Sequence, residues 1–384
     1  MMAAGNMRRV LIVAGEASGD LHGANLIRAA RDIDPGLCFF GMGGAKMSAA
    51  GCDIRIDMRE LAVMGLVEVA TRLPAIRKAF KTIKALFSGS ECPDLLVLID
   101  YPGFNLRLAR EAKRSGIPVL YYICPKIWAS RPGRKKLIVR DVDRLAAIFP
   151  FEMELFRGES IKVEFVGNPL LDEYHEPAPR GEVLQRHGLD PAGRVVGLFP
   201  GSRRSEIRYI LPTILETAKQ LLQRYSDLQF LMPLAPNLRR EELELALRQL
   251  ALQVTLVQDD IYDLSAACDV ILSVSGTVTL QAALTGTPMA ILYKASPLTY
   301  AIGKRLVRIP LVGLPNIVAG KEIVREFIQD AADPVVLAGE LGRLLDDGTY
   351  SATVADNLAG VKQRLGTPGC SGRVAGLIRE MVYQ

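Results

Sequence analysis

At 384 residues the chain is too long for one ordinary hydrophobic core, and at about 150 residues per domain it points to two. With 49% hydrophobic, 23% charged and 6% aromatic residues the composition is globular, which excludes disorder, collagen-like sequence and a coiled-coil rod as the main state. Lys plus Arg is 47 against 42 Asp plus Glu, and a net charge of +5 spread over this length gives no case for a nucleic-acid partner.

The first strand expected is Val10–Ala14, running into Gly15-Glu16-Ala17-Ser18-Gly19-Asp20 and then a helix. Glycines allow a tight turn at the carboxyl end of a strand, where open α/β sheets bind ligands. The loop lacks the Gly-x-Gly-x-x-Gly fingerprint and the Walker lysine, so neither a dinucleotide fold nor a nucleotide hydrolase is supported. It reads either as a plain strand–turn–helix with Asp20 as cap or as a site using Glu16, Ser18 and Asp20. Cys38–Met42 is the next strand.

Residues 61–87 then combine Val63, Met64, Leu66 and Val67 with Leu73, Ile76, Phe80, Ile83 and Phe87 at helical spacing. Arg72, Arg77, Lys78 and Lys81 supply charge, and no acid intervenes between Glu68 and Glu91. This basic amphipathic segment suits anionic lipid headgroups, with a core helix bearing a solvated face as the competing reading.

Strand Leu95–Ile99 ends in Asp100-Tyr101-Pro102-Gly103-Phe104-Asn105. A carboxylate at that sheet edge can have its pKa raised towards that of a general base, although Asp before a Pro-Gly turn is also a structural device. Strands Val119–Ile123 and Leu145–Phe149 flank a second basic cluster, Arg131, Arg134, Lys135, Lys136 and Arg140, beside Trp128, the chain's single tryptophan. His175 to Gly181, with two prolines, reads as a linker.

The strand–helix alternation then restarts with Val195–Phe199, Gln229–Met232, Val254–Val257, Val270–Leu272 and Met289–Leu292. Pro200-Gly201-Ser202-Arg203-Arg204-Ser205-Glu206 offers backbone N–H groups and a guanidinium to a phosphate, or is simply a solvated helix start. Ser275-Gly276-Thr277, with Gln281 one turn on, places a second hydroxyl-rich turn at another strand end. Two such turns suggest a nucleotide diphosphate site. The expected class is therefore α/β: two Rossmann-like, doubly wound domains facing a cleft.

Six scattered cysteines without a Cys-x-x-Cys pair indicate a reducing compartment and no zinc cluster, and three unpaired histidines leave little for a metal site. No signal core is apparent, and no stretch approaches about eighteen apolar residues, although a mean hydropathy of +0.19 leaves room for surface membrane binding.

Together these motifs, with Leu61-Ala62-Val63-Met64-Gly65, Gly167-Asn168-Pro169 and Leu314-Pro315-Asn316-Ile317-Val318-Ala319-Gly320, closely resemble the lipid-A-disaccharide synthase family (glycosyltransferase family 19), inverting enzymes of GT-B fold. The match runs in order across nearly the whole chain.

The resemblance implies transfer of a diacylated glucosamine from UDP to the 6-hydroxyl of a diacylglucosamine 1-phosphate, without cofactor or metal. The setting it implies is the cytoplasmic face of the inner membrane, with the enzyme peripheral on an anionic surface; a homodimer is compatible. It implies Asp100 as base with Glu16 as competitor or positioning group. UDP would lie against Gly201, Ser202, Arg203, Glu206, Ser275, Gly276, Thr277, Gln281 and Asn316, and the acceptor near Ser18, Asp20, Asn105 and Trp128.

Domain bounds of 1–174 and 182–349 follow, with 350–384 crossing back to the first domain. The chain departs from the family pattern at Gln281, where a Glu is usual, at Cys124 and Ser130 in the usual Ser-Pro-x-x-Trp-Ala-Trp, and at Gly103, where a second acid is common. Competing readings are a UDP-sugar epimerase or hydrolase of the same fold, and a non-catalytic binder of lipid or sugar nucleotide.

Overall fold

A computed structural model describes residues 7–60, 66–129, 131–202, 204–235, 238–296, 300 and 310–384, with backbone only for 66–72 and 204–206. Two compact units emerge. Unit 1 comprises Met1–Asp172 and Leu365–Gln384, and unit 2 comprises Glu173–Arg364.

Unit 1 is built on seven strands: β1 (Arg8–Ala14), β2 (Leu37–Gly43), β3 (Asp53–Asp57), β4 (Leu95–Ile99), β5 (Val119–Tyr122), β6 (Arg144–Ala147) and β7 (Lys162–Phe165). They form one sheet in the order β3-β2-β1-β4-β5-β6-β7, every pair parallel. Strands β4, β5 and β6 are buried along their whole length, which is why β4 and β5 are continuous apolar runs rather than alternating ones and β6 is one after Arg144. The connecting helices used below are α1 (Ala17–Ile33), α2 (Ala45–Ala49), α3 (Leu66–Ala85), α4 (Pro102–Arg114), α5 (Arg134–Asp141), α6 (Pro150–Leu155) and α7 (Leu170–Glu173).

Helix α3 decides between the two readings of the basic amphipathic segment where its side chains are described. Ile83 and Phe87 are buried, Ile76 and Phe80 pack against the same core, and Phe80 meets Phe104 of α4 edge-on at 5.6 Å. The apolar stripe from Ile76 to Phe87 is therefore core, contrary to the membrane reading, because it is the face by which α3 covers the sheet. Arg77, Lys78 and Lys81 remain exposed on the other side. Val63 and Met64, and the side chains of Leu66, Val67 and Arg72, lie outside the described residues. Among the described residues no helix is long and apolar enough to cross a membrane.

Unit 2 holds β8 (Val195–Phe199), β9 (Gln229–Pro233), β10 (Thr255–Val257), β11 (Val270–Val274), β12 (Met289–Tyr293) and β13 (Glu326–Ile328). Their order is β10-β9-β8-β11-β12-β13, again all parallel. Helices α8 (Arg180–Arg186), α9 (Arg204–Arg224), α10 (Arg240–Gln249), α11 (Ile261–Ala266) and α12 (Thr277–Thr285) belong to it.

The chain returns to unit 1 later than residue 350. Helix Gly348–Arg364 buries Val354, Leu358 and Val361 and packs on α12 and on the helices Leu314–Ala319 and Pro334–Asp346, all in unit 2. Only the final helix, Cys370–Val382, lies on α1 of unit 1. Its first amides, Gly369 N, Cys370 N and Ser371 N, all donate to the Asp172 carboxylate at 2.6–3.0 Å, and Arg144 Nη1 donates to Glu380 Oε2 at 2.6 Å. A carboxylate at a helix N-terminus satisfies otherwise orphaned donors, so these contacts fasten the returning segment.

Candidate functional site

In each sheet the strand order reverses once: at β1/β4 in unit 1 and at β8/β11 in unit 2. Open parallel sheets bind ligands outside the carboxyl ends of strands at such switch points. Ala14 pairs with Ile99 and Phe199 with Ser273, so the loops singled out in the sequence emerge as two neighbouring pairs: Gly15–Asp20 beside Asp100–Asn105, and Pro200–Ser202 beside Ser275–Thr277.

In unit 1 the backbone at the end of β4 is strained. Asp100 and Tyr101 are both left-handed, with φ of 41° and 44°, a conformation that costs non-glycine residues about 1–3 kcal/mol each. Three donors hold it. Asn105 Nδ2 donates to the carbonyls of Ile99 and Asp100 at 3.1 and 2.8 Å, Tyr121 Oη donates to the Asp100 carbonyl at 2.5 Å, and Asp100 N donates to the Tyr122 carbonyl at 3.1 Å. Burial pushes the Asp100 carboxyl up to about 6; the nearby Glu16 carboxylate pushes the same way, while Lys126, the Tyr101 amide and Arg134 oppose. The result is a poised acid–base group on a rigid strand end.

Glu16 and Ser18 are exposed, Glu16 as the residue preceding α1. Asp20 departs from its expected role on the acceptor side and as cap of its own helix. It is buried, and its carboxylate accepts from Gly44 N, Lys46 N and Met47 N at 2.7–3.1 Å, closing the N-terminus of α2. Asn105 is likewise fully buried, and its Nδ2 grips backbone, while its Oδ1 has no hydrogen-bond partner among the described residues. Trp128 is half-buried, edge-on to Phe151 at 5.4 Å. Ser130 lies outside the described residues, and the buried Cys124 thiol is pushed up by burial.

Sequence reasoning missed Glu152 and Tyr121. Glu152 is 1% exposed, accepts from Ile148 N and Phe149 N at 3.1 Å, and burial pushes it up to about 8. Its signal was present as Phe149-Pro150-Phe151-Glu152, a strand end followed by Pro and then Glu at the third helical position.

Tyr101 needs Gly15. A Cβ at Gly15 would lie 2.3 Å from Tyr101 Cδ1, so the first loop must be bare for the ring beside it to fit. Gly15→Ala is expected to displace Tyr101 and, through it, the strained Asp100. It should lower turnover and cost about 1–3 kcal/mol of stability, measured together by activity and urea unfolding. An unchanged rate would show that Asp100 is held independently of Tyr101.

In unit 2, Gly201 is left-handed at φ 85°, and a Cβ there would meet Val274 Cγ1 at 2.7 Å. Ser202 is exposed at that turn. Arg203 and the side chain of Glu206 lie outside the described residues. Ser275 Oγ donates to the Val312 carbonyl at 2.7 Å, Gly276 precedes α12 in an extended conformation, and Thr277 opens the helix, exposed. Gln281 is half-buried and bonded to Tyr262, whose phenol burial pushes up to about 12, assisted by Glu173.

Asn316 departs from its expected role as a diphosphate contact. Its Nδ2 donates to the Val324 carbonyl and Glu326 Oε1, both at 2.7 Å, and its Oδ1 accepts from Ile323 N and Val324 N at 2.7 and 3.0 Å. A fully buried amide with four partners has no capacity left for a ligand.

Among the described residues His175, Asp260 and Asp263 bring ligand atoms within 4.8 Å of one another. Both carboxylates are already engaged, Asp260 Oδ1 by the first amides of α11 and Asp263 Oδ1 by Ala178 N.

A family profile described as lipid-A-disaccharide synthetase matches residues 10–371. The chain is 54% identical over 374 residues to a lipid-A-disaccharide synthase of Syntrophotalea carbinolica, covering 97% of this chain and 95% of the relative. It is 51% identical over 381 residues to that of Geobacter sulfurreducens, covering 99% of each. Among solved structures, a UDP-GlcNAc 2-epimerase from Neisseria meningitidis bound to UDP-GlcNAc shares the fold, with a TM-score of 0.66 at 15% identity over 97% of this chain and all of the other. The glycosyltransferase of kitacinnamycin does so with a TM-score of 0.64 at 15% identity, over 97% and 98% of the two chains.

Proposed function

The chain belongs to the lipid-A-disaccharide synthetase family, and on that premise we propose that Asp100 is the general base of a single inverting displacement between two acylated glucosamines. Formation of the lipid A disaccharide by a glycosyltransferase follows from the family; the assignment of steps to residues is our reading.

Asp100 takes the proton of the acceptor 6-hydroxyl as that oxygen attacks the anomeric carbon of the donor. The new C–O bond forms as the bond from that carbon to the diphosphate oxygen breaks, and the electron pair leaves with UDP. Glu16 keeps the proton affinity of Asp100 high through like-charge repulsion and faces the acceptor with Ser18 and Trp128. Asn105 serves as a positioning residue for the base.

Arg203, the amides at Gly201 and Ser202 and the N-terminal end of α12 at Thr277 hold the diphosphate, so fixed dipoles and a guanidinium stabilise the departing charge without a metal. Glu206, Ser275 and Gly276 complete that turn, and Gln281 faces the ribose. The exposed cations Arg77, Lys78 and Lys81 draw the enzyme to the anionic cytoplasmic face of the inner membrane, where both acylated substrates reside.

The observation that carries this reading is the half-buried, strained Asp100 at the β1/β4 switch point with its carboxyl raised to about 6. It is tested by a metal-free assay with both acylated glucosamine substrates alongside calorimetric titration with UDP. Arg203→Ala should weaken UDP about tenfold or more, with the fold intact. Unaltered UDP affinity in that variant would remove Arg203 from the diphosphate site.

A further inference from the structure

The acceptor in this reaction carries a phosphate into a site whose base is a carboxylate, and two anions close together require cations not already committed elsewhere. The loop between β5 and α5 contains them. It leaves the sheet one strand over from Asp100, since Ile99 pairs with Tyr122 and Asp100 N bonds the Tyr122 carbonyl. Buried Cys124 and Ile127 anchor it around exposed Lys126. Two of its turns are left-handed at non-glycine residues, Ile123 at φ 68° and Arg131 at φ 54°, and Arg134 N bonds back to the Arg131 carbonyl at 3.0 Å. That strained path brings Arg131 and Arg134 together at the start of α5.

Two of the three other cations on α5 are spoken for, and the third, Lys136, is exposed to solvent. Lys135 pairs with Glu159 at 2.7 Å and Arg140 with Asp141 at 2.6 Å. Lys126, Arg131 and Arg134 make no ion pair among the described residues, although Arg134 is half-buried. Holding a half-buried guanidinium beside a second arginine, with no carboxylate at ion-pair distance, is costly, and an arriving phosphate would relieve it.

We propose that Arg134, with Arg131 and Lys126, forms the cradle for the anomeric phosphate of the acceptor sugar, and so sets the enzyme's preference for a phosphorylated over an unphosphorylated acceptor. The inference rests on the reading that places the acceptor at unit 1. Burial and Arg131 both lower the proton affinity of Arg134 while Tyr121 and Asp100 oppose, and Lys126 and Arg134 each bear on the Asp100 carboxylate. The cluster thus lies within electrostatic reach of the proposed base, and a phosphate held there would carry the sugar towards it.

The test compares a short-chain diacylglucosamine 1-phosphate with the same sugar lacking the phosphate, using wild type, Arg134→Gln, Arg134→Lys and Arg131→Gln. Arg134→Gln should raise KM for the phosphorylated acceptor about 10- to 100-fold, leave KM for the unphosphorylated sugar and for the donor unchanged, and be partly rescued by Arg134→Lys. Equal losses on both acceptors, or a shifted acid limb of the pH–rate profile without change in KM, would overturn the proposal and leave Arg134 as a tuner of Asp100. Loss of binding to anionic vesicles with unchanged acceptor KM would overturn it in favour of a membrane contact. Should wild type form no disaccharide, the reaction itself is misread. Calorimetric binding of the two sugars to wild type and Arg134→Gln would still decide the cradle, because a phosphate-dependent affinity lost in the variant supports it and its absence refutes it.

Discussion

Asp100→Asn is expected to lower turnover by about 10²- to 10⁴-fold while making the protein more stable at neutral pH. Both effects come from one cause. The Asp100 carboxyl is raised from an ordinary 3.8 to about 6, first by burial and then by Glu16, so ionising it in the folded protein is unfavourable. A raised carboxyl holds its proton in the folded chain over a range where the unfolded chain has released it. Stability from this group is therefore full below about pH 4, is lost as pH rises towards 6, and stays low above. The difference is up to about 3 kcal/mol at pH 7. Asparagine cannot ionise, so the Asp100→Asn variant should melt above wild type at pH 7 and level with it near pH 4. In wild type the rate should fall below about pH 6 as the base becomes protonated. UDP affinity should be unchanged. A variant that is inactive but no more stable would mean that the carboxylate is compensated by contacts other than those seen.

Asn316→Ala should be the most damaging single change in unit 2, costing about 3–5 kcal/mol. Truncation leaves Ile323 N, Val324 N and the Val324 carbonyl buried without partners. It also removes a donor from Glu326, which accepts from Val312 N and Gly313 N at 2.7 and 2.8 Å. Since Ser275 Oγ bonds the Val312 carbonyl, the loosened segment is tied to the turn that opens α12. UDP affinity should consequently fall only in step with the loss of native protein, as read by calorimetry beside thermal unfolding. A variant that melts normally but no longer binds UDP would return Asn316 to the ligand.

The central strands were legible because burial on both faces forces largely uninterrupted apolar runs, and all ten expected strands appear with ends within two residues of those expected. The three that escaped, β3, β7 and β13, are three of the four edge strands, Asp-Ile-Arg-Ile-Asp, Lys-Val-Glu-Phe and Glu-Phe-Ile. An edge strand has one partner and half its surface in water, so charged residues interrupt the pattern. Helix α3 shows the opposite ambiguity, since an apolar stripe looks the same whether it meets a sheet or a lipid surface.

Family, chemistry and the placement of Glu16, Asp100, Ser202 and Thr277 at strand ends were readable from the chain, because motif order and strand–turn–helix punctuation are local properties. Which polar groups are already used could be decided only by the folded structure. Asp20, the Nδ2 of Asn105 and Asn316 are as suited to a ligand as to backbone, and the choice depends on which backbone groups arrive from 24, 5 or 7 residues away. Hydrogen-bond satisfaction is a property of tertiary neighbours, and no spacing rule along a sequence reports it.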